Sequence, residues 1–429
     1  MRKMRTGAQL SSALAGRFLS RRCYISGGWQ AAALQRVHWG AAASALAEEV
    51  AALGASRAFI IASQAATATH TLRSGTDEIA KCEAALGANH AGTWSGMRGH
   101  TPREDVLSAA AAAREAGADL LVSIGGGSVT DGTKAVNLCL DRDVRTVAGL
   151  DRYVGQDVFG PDEYAMGGGV RHVAVPTTLS AGEFTRIVGV TNKATEHKEL
   201  FAHTQIQPCS VIFDPELSLH TPEWLWLSTG IRSVDHATEA LCSINANPYS
   251  SSVAAAALRL LAAALPKTKA NPRDLQARLE CQIGCWQAVS TVMMGVHYGA
   301  SHAIGHVLGG TADVPHGYTS CINLPYVLQY NAEAIPGQCR AVADALGAGP
   351  GETAAEAMDA LIRGLGMPRT LSDVDFPEGR FEQVCELSMK DPWTLTNPRP
   401  ITSPDDVRVI LEMARDGVPN SSRMAQLRG

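Results

Sequence analysis

The 429-residue chain reads as an α/β half followed by an all-helical half. Three observations carry this reading. Short apolar runs alternate with helical patterns as far as Pro215, which is the pattern of βαβ units around a largely parallel sheet. Beyond Pro215 strand-like runs nearly vanish and long helical patterns take over. Forty-one glycines and only 5% aromatic residues suit helices and tight turns better than a β-sandwich.

Residues 1–47 hold no Asp or Glu but carry Arg2, Lys3, Arg5, Arg17, Arg21, Arg22 and Arg36. An Arg-rich, Ser-rich, acid-poor start is the composition of an organellar transit peptide, so residues 1–30 are read as an extension that would direct the chain to mitochondria. A disordered tail is the competing reading. Ala43–Leu53 then predicts a helix closed by Gly54, whose freedom at positive φ suits a C-cap. Ala58–Ala62 predicts a buried strand, and Thr76–Leu86 and Arg103–Ala116 predict helices. Strands are expected at Asp119–Ile124, His172–Val175 and Ser210–Phe213. Helices are expected at Ser233–Cys242, Ser251–Leu265, Asp274–Met293, Gly299–Leu308, Pro336–Leu346 and Asp405–Ala414. The boundary falls near 215, giving an α/β domain over 31–215 and a helical domain over 216–429, with a ligand cleft expected between them.

Composition removes several function classes. A net charge of -5 lacks the basic footprint of a nucleic-acid binder. No run of 18 apolar residues marks a membrane span. Ten scattered cysteines without a CxxC point to reduced thiols in an intracellular, cytoplasmic setting. A small-molecule substrate is the expected partner.

Two loops follow predicted strands directly. Gly125-Gly126-Gly127-Ser128 leads from the strand ending at Ile124 into a helix carrying Asp131 and Lys134. Glycines let the backbone approach a phosphate, and a helix N-terminus offers free N–H groups with partial positive charge. The loop is neither GxGxxG nor a P-loop. Pro176-Thr177-Thr178-Leu179-Ser180 also follows a strand and offers hydroxyls. Two strand-end loops of this kind on one sheet predict a dinucleotide site.

The helical half concentrates histidines. His302 and His306 lie four apart, on one helix face. His236 lies in GIRSVDHATEA and His316 in Val314-Pro315-His316-Gly317. Such convergence serves metal binding or acid–base chemistry.

In this order, GGGSVTDGTK, the PTT loop, Asp214-Pro215, GIRSVDHATEA and HAIGHVLGG…VPHG resemble the iron-containing (group III) alcohol dehydrogenase superfamily over roughly residues 36–415. The resemblance implies a dehydroquinate synthase-like fold with an N-terminal dinucleotide-binding domain and a helical catalytic domain. It also implies a homodimer and hydride transfer with NAD(H) or NADP(H). Ser63, Gly126, Gly127, Ser128, Asp131, Thr177, Thr178, Leu179 and Lys198 are the implied cofactor contacts. Lys134 is a further phosphate candidate. Ser63 stands where NAD-preferring relatives carry an Asp, so a 2′-phosphate would not be repelled.

Metal-dependent members carry an Asp four residues before the first helix histidine, and here that position is Arg232. A guanidinium cannot ligate a cation. Asp235 sits about 100° away around the helix and is a poor substitute. The change resembles the maleylacetate reductase branch, where no metal is required and an enone dicarboxylate is reduced in aromatic-compound catabolism. The short PTTLSAGEFT loop and Asn397-Pro398-Arg399-Pro400-Ile401-Thr402 lean the same way, whereas Pro315-His316-Gly317 is nearer the metal-dependent enzymes. Arg232, His236, His302, His306 and His316 are thus the expected catalytic groups. Arg232 would steady an enolate or a carboxylate, or would pair with Asp235 or Glu239, and His236 or His306 would deliver the proton. The alternatives are an Fe- or Zn-dependent alcohol dehydrogenase using His236, His302 and His316, a synthase or lyase of the same fold, and an inactive binding relative.

Overall fold

The structure, a computed structural model, describes residues 34–63, 78–155, 161–167, 169–195, 197–312 and 314–417. The expected extension over 1–30 and the start of the helix expected from Thr76 lie outside them.

Six parallel strands form the N-terminal sheet in the order β1-β8-β5-β4-β2-β3. They are β1 (Arg36–Trp39), β2 (Ala58–Ser63), β3 (His90–Met97), β4 (Leu120–Gly125), β5 (Arg171–Pro176) and β8 (Ser210–Phe213). The central strand β4 is buried along its whole length, which is why LLVSI reads as a continuous apolar run. Helices α1 (Ala42–Leu53), α2 (Glu78–Leu86), α3 (Arg103–Glu115) and α4 (Gly127–Asp141) cover the faces. An antiparallel hairpin, β6 (Ile187–Asn192) with β7 (His197–Ala202), stands apart from the sheet. The edge strands β1 and β3 and this hairpin lie outside the expected strands: β1, β3 and β7 are polar or glycine-rich, and in β6 Gly189 interrupts the short apolar run Ile187–Val190.

Asp214 ties the end of β8 to α1 and to the chain that follows. One carboxylate oxygen caps α1 by accepting from Ala42 N at 2.7 Å, and the other accepts from Glu216 N and Leu217 N. The chain then turns into the helices α5 (Glu223–Cys242), α6 (Pro248–Ala270), α7 (Leu275–Met293), α8 (Ala300–Ala312), α9 (His316–Asn331), α10 (Pro336–Leu346), α11 (Ala354–Gly364), α12 (Phe381–Ser388) and α13 (Pro404–Asp416). Helix α5 begins ten residues before the expected Ser233. The Ser-Thr-Gly within it reads as a breaker, but Pro222 and Glu223 supply the start. Helix α9 was not foreseen, because Pro325 lies inside it. By length and composition α6 would suffice to cross a membrane, but its inner face packs among α5, α7 and α10 in the largest core. From Trp226 to Cys242 every residue of α5 is buried, which makes it the spine of the helical half.

Glu183, in the turn after Ala181, is buried with Oε1 unpartnered. Burial pushes its pKa up to about 7 from 4.5. The folded value exceeds the unfolded one, so the fold favours the neutral acid. Stability is therefore lost as pH rises from about 4.5 to about 7, by about 3 kcal/mol. Glu183→Gln is expected to raise the midpoint of thermal unfolding at pH about 8.5 and to change it little at pH about 5. Equal shifts at both values would contradict this.

Candidate active site

The sheet presents the C-terminal ends of β4 and β5 to α5. After Gly125, helix α4 starts at Gly127 with no side-chain cap, which leaves its first N–H groups for a ligand. A Cβ at Gly126 would lie 3.0 Å from Thr178 Cγ2, and one at Gly127 would lie 2.8 Å from Ser180 Oγ. The two strand-end loops thus touch, and only glycine leaves a groove between them. Thr177 N donates to Gly125 O at 2.9 Å. Leu179 is stapled to α5, its N–H donating to Thr229 Oγ1 at 3.1 Å and its carbonyl accepting from Ser233 Oγ at 2.6 Å. Ser128 Oγ accepts from His100 N at 3.2 Å. His100 and Thr101 both have left-handed backbones, φ 63 and 54, a strained pair beside the glycine loop.

Ser63 closes β2, in register with Met97. Lys198 is exposed near the start of β7 and lowers the pKa of His316 through its charge. Two expected contacts serve structure instead. Lys134 is completely buried, and its ammonium donates to Gly182 O at 2.8 Å, Thr185 O at 3.2 Å and Ile187 O at 2.5 Å. Asp131 accepts from Gly189 N at 3.2 Å and pairs with Lys134 at 3.3 Å, tying α4 to the hairpin. The groove, the uncapped helix and the hydroxyls fit a dinucleotide pyrophosphate. Gly126→Val fills that groove in a backbone any residue adopts (φ -83). It is expected to weaken NADH binding at least about 10-fold, or about 1.4 kcal/mol, in a fluorescence titration. An unchanged Kd would place the cofactor elsewhere.

Arg232, His236, His302, His306 and His316 come together where α5, α8 and α9 meet. Ring centroids are 4.9 Å apart for His236 and His302, and 6.3 Å for His302 and His306. His306 and His316 are also 6.3 Å apart, with their planes within 3°. Arg232 points inward, 3% exposed. It donates to Ser320 Oγ at 3.0 Å and lies 3.6 Å from Asp235 Oδ2, with Nε unpartnered. Its nearest charge partner is thus one of the two carboxylates the sequence offered, at ion-pair rather than hydrogen-bond range. Gly305 makes room for this packing, since a Cβ there would lie 2.9 Å from Thr319 Oγ1 and 3.6 Å from the guanidinium.

Two buried carboxyls organise the rest. Asp235 Oδ2 accepts from Ser320 Oγ at 2.6 Å and Ser301 Oγ at 2.8 Å. Glu239 accepts from the N–H groups of Gly299, Ser301 and His302 at 3.0, 2.9 and 3.3 Å, which caps α8. It also lies 2.7 Å from His302 Nδ1. Burial and neighbouring Asp235 push Glu239 up to about 8. Sequence reasoning named neither as functional. The available signal was a helix whose apolar positions run all round, because polar groups inside such a helix must find partners.

Electrostatics separate the histidines. Burial, then the charge of Arg232, hold His236 and His302 well below the usual imidazole range. His316 opens to solvent at the start of α9, and there Arg232 is the larger cause of a similarly low value. These shifts favour the neutral imidazole at all three and weigh against His236 as the proton source. Among the described residues His236 Nδ1 and His302 Nε2 have no hydrogen-bond partner.

The donor set is a poor match for a divalent cation. Among the described residues the one tight group of ligand-type atoms is Asp235, Glu239 and His302, and hydrogen bonds already engage it. The fourth ligand position is a buried guanidinium. A divalent ion about 6 Å from such a charge is repelled by about 5 kcal/mol at an effective dielectric of about 20.

Comparison with known proteins agrees with this architecture. Residues 35–215 match the family model for iron-containing alcohol dehydrogenase, and 226–415 match the C-terminal model of the Fe-containing alcohol dehydrogenase family. Dehydrogenase ALT3 of Alternaria alternata is 35% identical over 84% of this chain and 100% of its own length. A maleylacetate reductase of Burkholderia cepacia is 30% identical over 90% of this chain and 97% of its own. The crystal structure of maleylacetate reductase from Agrobacterium tumefaciens superposes with a TM-score of 0.77 at 29% identity, covering 92% of this chain and all of that one. The chain therefore belongs to the iron-containing alcohol dehydrogenase family of oxidoreductases, near its maleylacetate reductase branch.

Proposed function

We propose that this protein is an NAD(P)H-dependent reductase of a small anionic enone, a maleylacetate-like unsaturated oxo acid. The observation that carries the reading is Arg232, a buried cation among neutral imidazoles where metal-dependent members place a carboxylate. The kinship with maleylacetate reductases supports the substrate class.

Residues Gly126, Gly127, Ser128, Thr177, Thr178, Leu179 and Lys198 would hold the dinucleotide, with Ser63 near its ribose. The dinucleotide held there would supply a hydride, taken up at the carbon β to the ketone. Negative charge then spreads over the enolate, and Arg232 stabilises it from a site where water is excluded. Arg232 is preorganised for this by Ser320 and Asp235. Neutral His236 and His302 offer ring nitrogens as hydrogen-bond partners without adding charge. Proton delivery to the α-carbon falls to His306, on the open side of α8.

The test is an oxidation screen of NADH and NADPH over enone dicarboxylates, aldehydes and 2-oxo acids, with and without added zinc or iron. Enone dicarboxylates are expected to be turned over fastest, with no stimulation by metal. Aldehyde reduction that depends on added metal would overturn the reading.

A further inference from the structure

The turn Pro392–Thr396 and its flanking residues pack against the clustered histidines. Asp391 caps that turn. Its Oδ1 accepts from Trp393 N at 2.9 Å, and its Oδ2 lies 2.9 Å from His306 Nδ1. With one oxygen anchored to the backbone, the carboxylate is fixed and the ring must orient to it. Asp391 is largely covered, 13% exposed at its side chain, while His306 is 37% exposed and faces the parallel ring of His316.

Four residues earlier on α8, His302 stands on Glu239 in a similar way, but that dyad is sealed and its ring is held neutral. The His306 dyad is the open one. The rest of the segment braces the same region. Trp393 packs 5.3 Å from Tyr298, which stacks on His302 at 4.2 Å and His236 at 5.3 Å. Thr396 Oγ1 donates to Tyr298 O at 2.6 Å, and Asn397 Oδ1 accepts from Ala300 N at 3.2 Å, at the start of α8.

We propose that Asp391 is the positioning residue for His306: it accepts the Nδ1 proton, so that Nε2 is the atom turned away from Asp391, on the exposed side of the ring, and carries the proton given to substrate. The chemistry rests on the enone-reductase reading, but the placement does not. The enolate electron pair forms a C–H bond at the α-carbon as the Nε2–H bond breaks. This leaves neutral His306 with its remaining proton on Nδ1 toward Asp391, and solvent water restores the proton lost.

The experiment compares Asp391→Asn, His306→Gln and the double variant, each assayed with the enone dicarboxylate. Asparagine keeps an acceptor for Trp393 N, so the turn should survive, and thermal unfolding checks this. Asp391→Asn is expected to lower kcat about 10- to 100-fold with NADH affinity unchanged, and to enlarge the solvent deuterium isotope effect. The double variant is expected to be no slower than His306→Gln alone. Full kcat in Asp391→Asn, or losses that multiply in the double variant, would overturn the inference. Histidine-ring ¹⁵N spectra supply the arm independent of turnover. They should show His306 protonated at Nδ1 in the native protein and a mixed tautomer in Asp391→Asn, and a native ring protonated only at Nε2 would refute the placement. If the native protein reduces no enone, the functional reading fails while these spectra still judge Asp391.

Discussion

Replacing Arg232 with methionine is expected to lower kcat/KM for the enone about 10²- to 10³-fold, the usual cost of deleting one preorganised group that stabilises developing negative charge. NADH affinity should be unchanged, because the groove proposed to hold the dinucleotide lies at the ends of β4 and β5 and the start of α4. The substitution also leaves Asp235 buried without its cation, so a loss of stability of about 3 kcal/mol or more should accompany the kinetic defect. Arg232→Lys separates charge from packing. A shorter point charge keeps the field but loses the planar fork that reaches Ser320, so it should recover part of kcat. Steady-state kinetics of both variants checks this. If lysine is as damaged as methionine while both remain folded, packing rather than charge is what position 232 supplies.

The largest effect on folding is expected at Glu239. Its carboxyl accepts three backbone N–H groups at the start of α8 and engages His302. An alanine there strands those donors in a dry interior, at about 1–3 kcal/mol for each group left unmade. Since α8 can fray and let water reach some of them, a total of about 4–5 kcal/mol is expected for Glu239→Ala. Glu239→Gln keeps one acceptor oxygen and should cost less than half as much. Denaturant unfolding gives the totals, and amide exchange at Gly299, Ser301 and His302 locates the loss. A uniform rise in exchange across α5, without emphasis on those three amides, would contradict the capping role.

Much of this site could be read in the sequence where the chemistry is local. A strand running into Gly-Gly-Gly-Ser and then a helix needs no tertiary information, and β4 and α4 follow that order. His302 and His306 at helical spacing likewise share a face because of one element's geometry. What could not be read depends on packing. Glu239 looks like any acidic helix residue until the N-terminus of α8 is brought against it. Asp391 reads as an Asp-Pro turn start, which it also is, and nothing nearby in sequence points 85 residues back to His306. Lys134 and Asp131 looked like phosphate and ribose contacts because they follow the glycine loop. The hairpin that spends them on structure is formed by residues more than 50 positions later.

In the proposed reaction a protein cation, Arg232, with Asp235 and Ser320 behind it, does the electrostatic work at this site. The most direct measurement is the rate of enone reduction after exhaustive chelation, read together with the metal content of the same sample. The account predicts an undiminished rate at substoichiometric iron and zinc. Activity that disappears with the metal and returns when one equivalent of iron or zinc is restored would contradict it.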